Sequence, residues 1–202
     1  MISYYTIPPS AMLAPYVRFF WVLEGEIPNG QTYTHRTMAD GCVEMVFHYR
    51  GVFNELLENG REERSFSAGI DGPSRRFSRF AIHESFGIFG VYLFPFAVPR
   101  LFNIPASALS NQAVDLKSLL GQQVTALEER VMLAADNHHR ARILVRFLEG
   151  CLHKLQTPEH THVFAAIQEV IRTRGLVNIG SLAAQACLST RQFERSFKQF
   201  AG

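Results

Sequence analysis

The periodicity of apolar positions changes partway along the chain. Residues 1–100 are cut by Gly and Pro into short apolar runs, whereas later residues repeat their apolar positions at helical spacing. Tyr16–Glu24, Thr32–Thr37, Cys42–Tyr49, Phe66–Ile70, Arg76–His83 and Phe86–Phe94 are rich in aromatic and β-branched residues, which predicts strands. Short strands separated by turn residues predict an antiparallel barrel or sandwich. Phe96–Phe102 predicts a short helix or turn, and Leu116–Leu120 leads into Gly121. Gln122–Ala135 has helical spacing through Val124, Leu127, Val131 and Ala134, and Asp136-Asn137 breaks it. Arg140–Leu155 gathers Leu144, Phe147, Leu148, Cys151, Leu152 and Leu155 on one helical face. That face serves either a dimer or packing on the chain's own sheet. Gln156–His160 reads as a linker, and His162–Arg174 as a helix burying Val163, Ala166, Ile167, Val170 and Ile171 before Gly175.

Residues 178–202 carry the richest pattern. Asn178 is placed to cap a first helix, and Ile179, Leu182, Ala183 and Ala186 form its packing face. Cys187-Leu188 makes a turn with Leu188 directed inward, and Ser189 caps a second helix. Phe193, Phe197 and Phe200 form that helix's apolar stripe, with Thr190, Arg191, Glu194, Arg195 and Lys198 opposite and Gly202 as the stop. A helical hairpin that only packs needs the same apolar positions. It has no need for a capped second helix with its guanidinium groups on one side, which is what a groove-reading helix requires.

This run resembles the first helix-turn-helix of the AraC-type transcription regulators. Leu182-Ala183, Leu188-Ser189, Phe193, Arg195, Phe197-Lys198 and Gly202 fall in register with that family's pattern. Cys187 stands where the family usually has Gly, and a Cβ at positive φ costs about 1 kcal/mol, so either strain or a different φ is expected there. Pro15–Trp21, Asp40–Phe47, Phe89–Pro95, Phe102–Pro105 and Val114–Gly121 resemble the β-rich sensory domain of one branch of the same family. Ala39 replaces the Pro that often precedes Asp-Gly there.

The resemblance implies double-stranded DNA as a partner. It places Arg191, Glu194 and Arg195 at base edges, and Thr190, Gln192 and Lys198 at phosphates. For Lys198 a solvated charge is the other reading. The resemblance also implies a small-molecule effector and a homodimer. The family's DNA-binding part has two such units and this sequence stops after one, so weak DNA binding by these 202 residues is expected.

Composition narrows the picture modestly. Apolar residues make up 47% of the chain, enough for a sizeable core, and the net charge of +2 excludes a bulk polycation. Arg172, Arg174, Arg191, Arg195 and Lys198 outnumber Glu159, Glu169 and Glu194, a small cationic surplus at the predicted DNA-facing end. Cys42, Cys151 and Cys187 are too scattered for a disulfide framework, and neither signal peptide nor membrane span is apparent, so a cytoplasmic location is expected.

The candidate chemistry is correspondingly quiet. No nucleophile elbow, P-loop, dinucleotide fingerprint or CxxC pair is present, and no enzyme and no cofactor are expected. His35, Glu44, His48 and His83 lack metal-ligand spacing, so no metal is expected. His35, Arg36, Glu44, His48 and Tyr92 are polar groups within apolar strands, read either as a ligand-orienting cluster or as a solvated outer face. The expected class is α+β. A cupin-like antiparallel β-barrel or sandwich forms a sensory domain at 1–121, with a helical connector at 122–156. A partial all-α DNA-binding domain follows at 160–202. The expected function is a sequence-specific DNA-binding regulator. The alternatives are a stand-alone small-molecule-binding or protein-interaction module whose helix-turn-helix is structural, and a cupin-like metalloenzyme.

Overall fold

The computed structural model describes residues 1–154 and 161–201. Leu155, the linker expected at Gln156–His160 and the stop expected at Gly202 lie outside the described residues, as do the boundaries expected at 156 and 160. The strands are β1 (Ile2–Ile7), β2 (Val17–Gly25), β3 (Tyr33–Thr37), β4 (Val43–Arg50), β5 (Asn54–Leu56), β6 (Glu62–Arg64), β7 (Ala68–Asp71), β8 (Ser78–Ile82), β9 (Phe86–Leu93) and β10 (Ala113–Asp115). The helices are α1 (Ala97–Phe102), α2 (Leu116–Leu120), α3 (Thr125–Met132), α4 (Asn137–Lys154), α5 (Thr161–Arg172), α6 (Ile179–Gln185) and α7 (Thr190–Ala201). The architecture is mixed α+β, with the strands early and the longer helices late.

The strands form two antiparallel sheets, ordered β1-β2-β9-β4-β7-β10 and β3-β8-β5-β6. Neither sheet closes on itself, so of the expected barrel or sandwich the closed barrel is ruled out. The cause lies in short strands such as β5 and β6, three residues each, and in a separate pairing of β3 with β8 rather than with the large sheet.

Alternation along β4 divides the large sheet into two faces. Val43, Met45 and Phe47 point to one side and are fully buried with Phe20, Phe89 and Val91. Val98 and Leu101 of α1, Leu127 and Val131 of α3, and Ile143, Leu144 and Leu148 of α4 cover that side. Phe147, Cys151 and Leu152 pack against the same cluster, so the apolar face of α4 is occupied by the chain's own sheet. On the other side, Trp21, Leu23, Val46 and Ile88 meet Phe53, Ile82, Tyr33 and Phe80 of the small sheet region. β9 is buried nearly throughout because it is covered on both faces.

A polar network pins the start of α4 to the large sheet. Asp136 caps the helix through the His139 N–H at 2.6 Å, so Asn137 opens α4 rather than lying in a break. Asn137 Nδ2 donates to Glu24 at 3.0 Å and to the Tyr5 hydroxyl at 2.9 Å, and Tyr49 also donates to Glu24. Arg140, only 7% exposed, donates to Asn137 Oδ1 and stacks over the Tyr49 ring at 3.7 Å. The Asn137 amide oxygen and the Tyr49 ring face thus take the place of hydrating water on two sides of the guanidinium.

Helices α5, α6 and α7 form a small unit around Ala166, Leu182, Ala183, Ala186 and Phe193. Ile179 is 51% and Ile171 44% exposed, so both leave the packing faces expected for them. The unit docks on the β-rich part through a second cluster, in which Val163, Ile167 and Phe200 meet Phe96. Phe164 stands edge-on to both Phe96 and Phe200.

Candidate functional site

Two regions combine polar side chains with a rigid frame, namely the α6–α7 pair and the space between the sheets. In the first, Asn178 Oδ1 accepts from the Ser181 N–H at 3.1 Å and caps α6. The end of α6 is a Schellman turn, with the Leu188 N–H on the Ala183 carbonyl and the Cys187 N–H on Ala184. Cys187 takes φ 55, so the turn keeps its left-handed residue without a glycine and bears the strain. Arg174, at φ 53, occupies the equivalent position at the end of α5, one residue before the expected Gly175.

Ser189 and Gln192 then form a reciprocal capping box. Ser189 Oγ accepts from the Gln192 N–H at 3.3 Å, and Gln192 Oε1 accepts from the Ser189 N–H at 3.0 Å. The Gln192 carboxamide oxygen is thus engaged inside the helix start. Thr190, Arg191, Glu194, Arg195 and Lys198 are all exposed, while Phe193 and Phe200 are buried on the opposite side. None of Arg191, Arg195 and Lys198 forms an ion pair among the described residues.

The second region is a cavity of about 240 Å³ between the two sheets. Trp21, Val46, Phe53, Phe80 and Ile88 give it apolar walls, and His35, Glu44, His48, Glu55 and Asp71 give it polar ones. It adjoins an open groove of about 1010 Å³, and Thr37, Glu44, Glu55 and Asp71 line both. Glu44 on β4 and Asp71 on β7 are directly opposed in register, which puts their carboxyl groups side by side on one face.

Burial, with Asp71 and Asp40 nearby, pushes Glu44 up to about 8. Burial, with Glu55 nearby, pushes Asp71 up to about 6. Glu55 is held by Ser78, whose hydroxyl donates to it at 2.9 Å. Burial lowers the pKa of both His35 and His48, which favours the neutral rings. His48 Nδ1 lies 2.9 Å from the Phe66 carbonyl, which can only accept, so Nδ1 carries the proton. No group of three or more His, Cys, Asp or Glu side chains forms a metal site among the described residues.

The cavity brings together His35, Glu44 and His48 and leaves two of the expected companions outside. Arg36 follows His35 on β3, so it points the other way and lies over the Phe77 ring at 4.9 Å. Tyr92 opposes Glu44 in register but stacks on Phe19 at 4.9 Å. Several cavity residues escaped the sequence reading, Asp71, Glu55 and Trp21 among them. Asp71 ends the run Ala-Gly-Ile-Asp, a visible signal, but only strand register sets it against Glu44. Glu55 sits in a three-residue strand too short to show a period. Trp21 reads as core from its apolar run, yet it lines the cavity because β2 is covered on both faces.

Residues 5–115 match the family model described as Domain of unknown function (DUF6597). No curated protein matches the chain. Among solved structures, ToxT from Vibrio cholerae O395 is similar at 10% identity over 91% of this chain and 75% of its own, with a TM-score of 0.39. The AraC-like transcriptional activator CuxR is similar at 8% identity over 95% of this chain and 78% of its own, with a TM-score of 0.37. Unsaturated fatty acid bound wild-type ToxT from Vibrio cholerae strain SCE256 is similar at 11% identity over 90% of this chain and 91% of its own, with a TM-score of 0.29. No helix among the described residues is long and apolar enough to cross a membrane.

Proposed function

The chain belongs to the DUF6597 family, and from that premise we propose that it is a sequence-specific DNA-binding transcription regulator of AraC type whose β-rich part, at 1–121, binds a small molecule. One observation carries the reading. Helix α7, started by the Ser189–Gln192 capping box, buries Phe193 and Phe200 while Arg191, Glu194 and Arg195 stay exposed on the other side and form no ion pair among the described residues. Those side chains suit base edges, Arg pairing with guanine and Glu accepting from cytosine. Thr190 and Lys198, with the amide donors of Gln192, suit phosphates. The helices at 122–154 share the core of the large sheet, so they act as a rigid connector between sensing and reading parts. Phe96, packed against Val163, Ile167 and Phe200, is the contact through which a change at the sheets would reach α7. The working form is a cytoplasmic homodimer, without catalysis or cofactor.

Selection of bound duplexes from random DNA by the full-length gene product tests this. A single enriched motif is expected, and Arg195→Ala should relax one base position at a cost of roughly 1–3 kcal/mol. A featureless pool overturns the reading. The second reading, a binding module with a structural α6–α7 pair, draws on the same Phe96 contact, since it gives those helices a packing role of their own. It predicts ligand binding with no DNA motif at all.

A further inference from the structure

We infer that the cavity between the sheets is a binding site for a small organic cation, with the Glu44 and Asp71 carboxyl groups receiving its charged end. This rests on reading the β-rich part as the ligand-binding part, and it specifies the chemistry of that ligand.

The geometry comes first. Glu44 and Asp71 stand opposite one another on adjacent strands and line both the cavity and the groove that opens from it. Neither carboxyl group has a hydrogen bond or ion pair among the described residues. Asp40 acts on Glu44 and Glu55 on Asp71, and both of these neighbours are acidic. Buried carboxylates ordinarily sit against a guanidinium, an ammonium or a row of N–H donors. Arg64 also lines the cavity, but it forms no ion pair with either group among the described residues, and Glu44, Glu55, Glu63 and Asp71 leave the lining net acidic. A cation entering from the groove would supply the missing positive charge.

The second observation is independent of the acids. Trp21 lines the same cavity, is only 7% exposed, and its Nε1–H has no acceptor among the described residues. A buried indole N–H normally finds a partner. A ligand with an acceptor beside its positive charge, such as the hydroxyl oxygen of tyramine or choline, would satisfy that N–H as well. Phe53, Phe66 and Phe80 add aromatic walls, which suit both a flat body and a desolvated cation. An anionic ligand would set a second negative charge beside Asp71 in a cavity whose lining is net acidic.

Trp21 is the chain's single tryptophan, so its emission reports on the cavity directly. The purified chain is titrated with benzamidine, tyramine and choline as cations, and with benzamide and benzoate as neutral and anionic counterparts of the first. At least one cation is expected to change Trp21 emission saturably, while benzamide and benzoate do not. Glu44→Gln and Asp71→Asn, checked for folding by circular dichroism, should each weaken that binding roughly tenfold or more. Benzoate binding as well as benzamidine overturns the inference, and so does silence from all three cations. Binding left intact in both folded variants does the same. The titration needs no DNA, so cation binding without a DNA motif would remove the regulator reading and leave this one standing. A DNA motif with no cation response would do the reverse.

Discussion

The two faces of the large sheet are built from the same strands, yet they behave as different materials. Val43, Met45 and Phe47 on one face are fully buried against helices. Glu44 and His48, one residue out of step on the same strand, line a cavity in which the carboxyl groups of Glu44 and Asp71 have no partner among the described residues. The first face stabilises the fold through apolar burial and close packing. The second gives up part of that stability to hold polar groups away from water. A period of two thus lets one strand serve packing and recognition at once, provided each face is covered by a different layer.

The largest contrast should come from substituting both faces in turn. Phe47→Ala removes a fully buried ring from the dry face and should destabilise the chain by about 3–5 kcal/mol in urea unfolding. Glu44→Gln, three residues earlier on the other face, should do the opposite at alkaline pH. A loss there of the size seen for Phe47→Ala would break the comparison.

The pH dependence sharpens it further. Glu44 rises from an ordinary 4.5 to about 8 on folding, so the folded chain holds that proton more tightly than the unfolded one. The stability this lends is whole below about pH 4.5, declines as pH rises, and is gone above about 8. Asp71 adds a smaller decline in the same direction, between 3.8 and about 6. The combined loss should amount to several kcal/mol. Urea midpoints measured across that range should fall with pH in the wild type, and more gently in Glu44→Gln. A flat wild-type profile would mean that water reaches both carboxyl groups freely.

Gly90 offers a smaller test on the cavity side. A Cβ there would lie 2.0 Å from the Trp21 indole, which packs directly over the glycine of the neighbouring strand. Gly90→Ala should destabilise by about 1–3 kcal/mol and shift Trp21 emission. Gly150, in the α4 layer that covers the dry face, is the counterpart, because a Cβ added there meets nothing within 4 Å. Gly150→Ala should stabilise by up to about 1 kcal/mol through helix propensity, the smallest effect of the set. Thermal melts of the two variants should move in opposite directions.

Much of the fold was legible because the two periods are strong. The runs at Tyr16–Glu24, Cys42–Tyr49 and Phe86–Phe94 became β2, β4 and β9 within a residue or so at each end. Strands β1, β5, β6 and β10 were not legible. β1 is an edge strand exposed along most of its length, so it carries no buried period, and the others are three residues long. At the candidate sites, the caps at Asn178 and Ser189 could be read because capping is local chemistry. The reciprocal role of Gln192 followed the same local rule but was passed over in favour of phosphate contact. Grouping Arg36 with His35 failed because neighbours on a strand point to opposite faces.

What the sequence determined by itself was local: which stretches alternate, which repeat at helical spacing, where a helix is capped, and which side of α7 carries its charges. Those follow from backbone geometry and from side chains within a few residues of each other. Only the tertiary structure decided that Asp71 stands beside Glu44, that Trp21 looks into a cavity, and that the sheets stay open. Register and layer packing join residues far apart in the chain, and no local period encodes which strand will lie next to which.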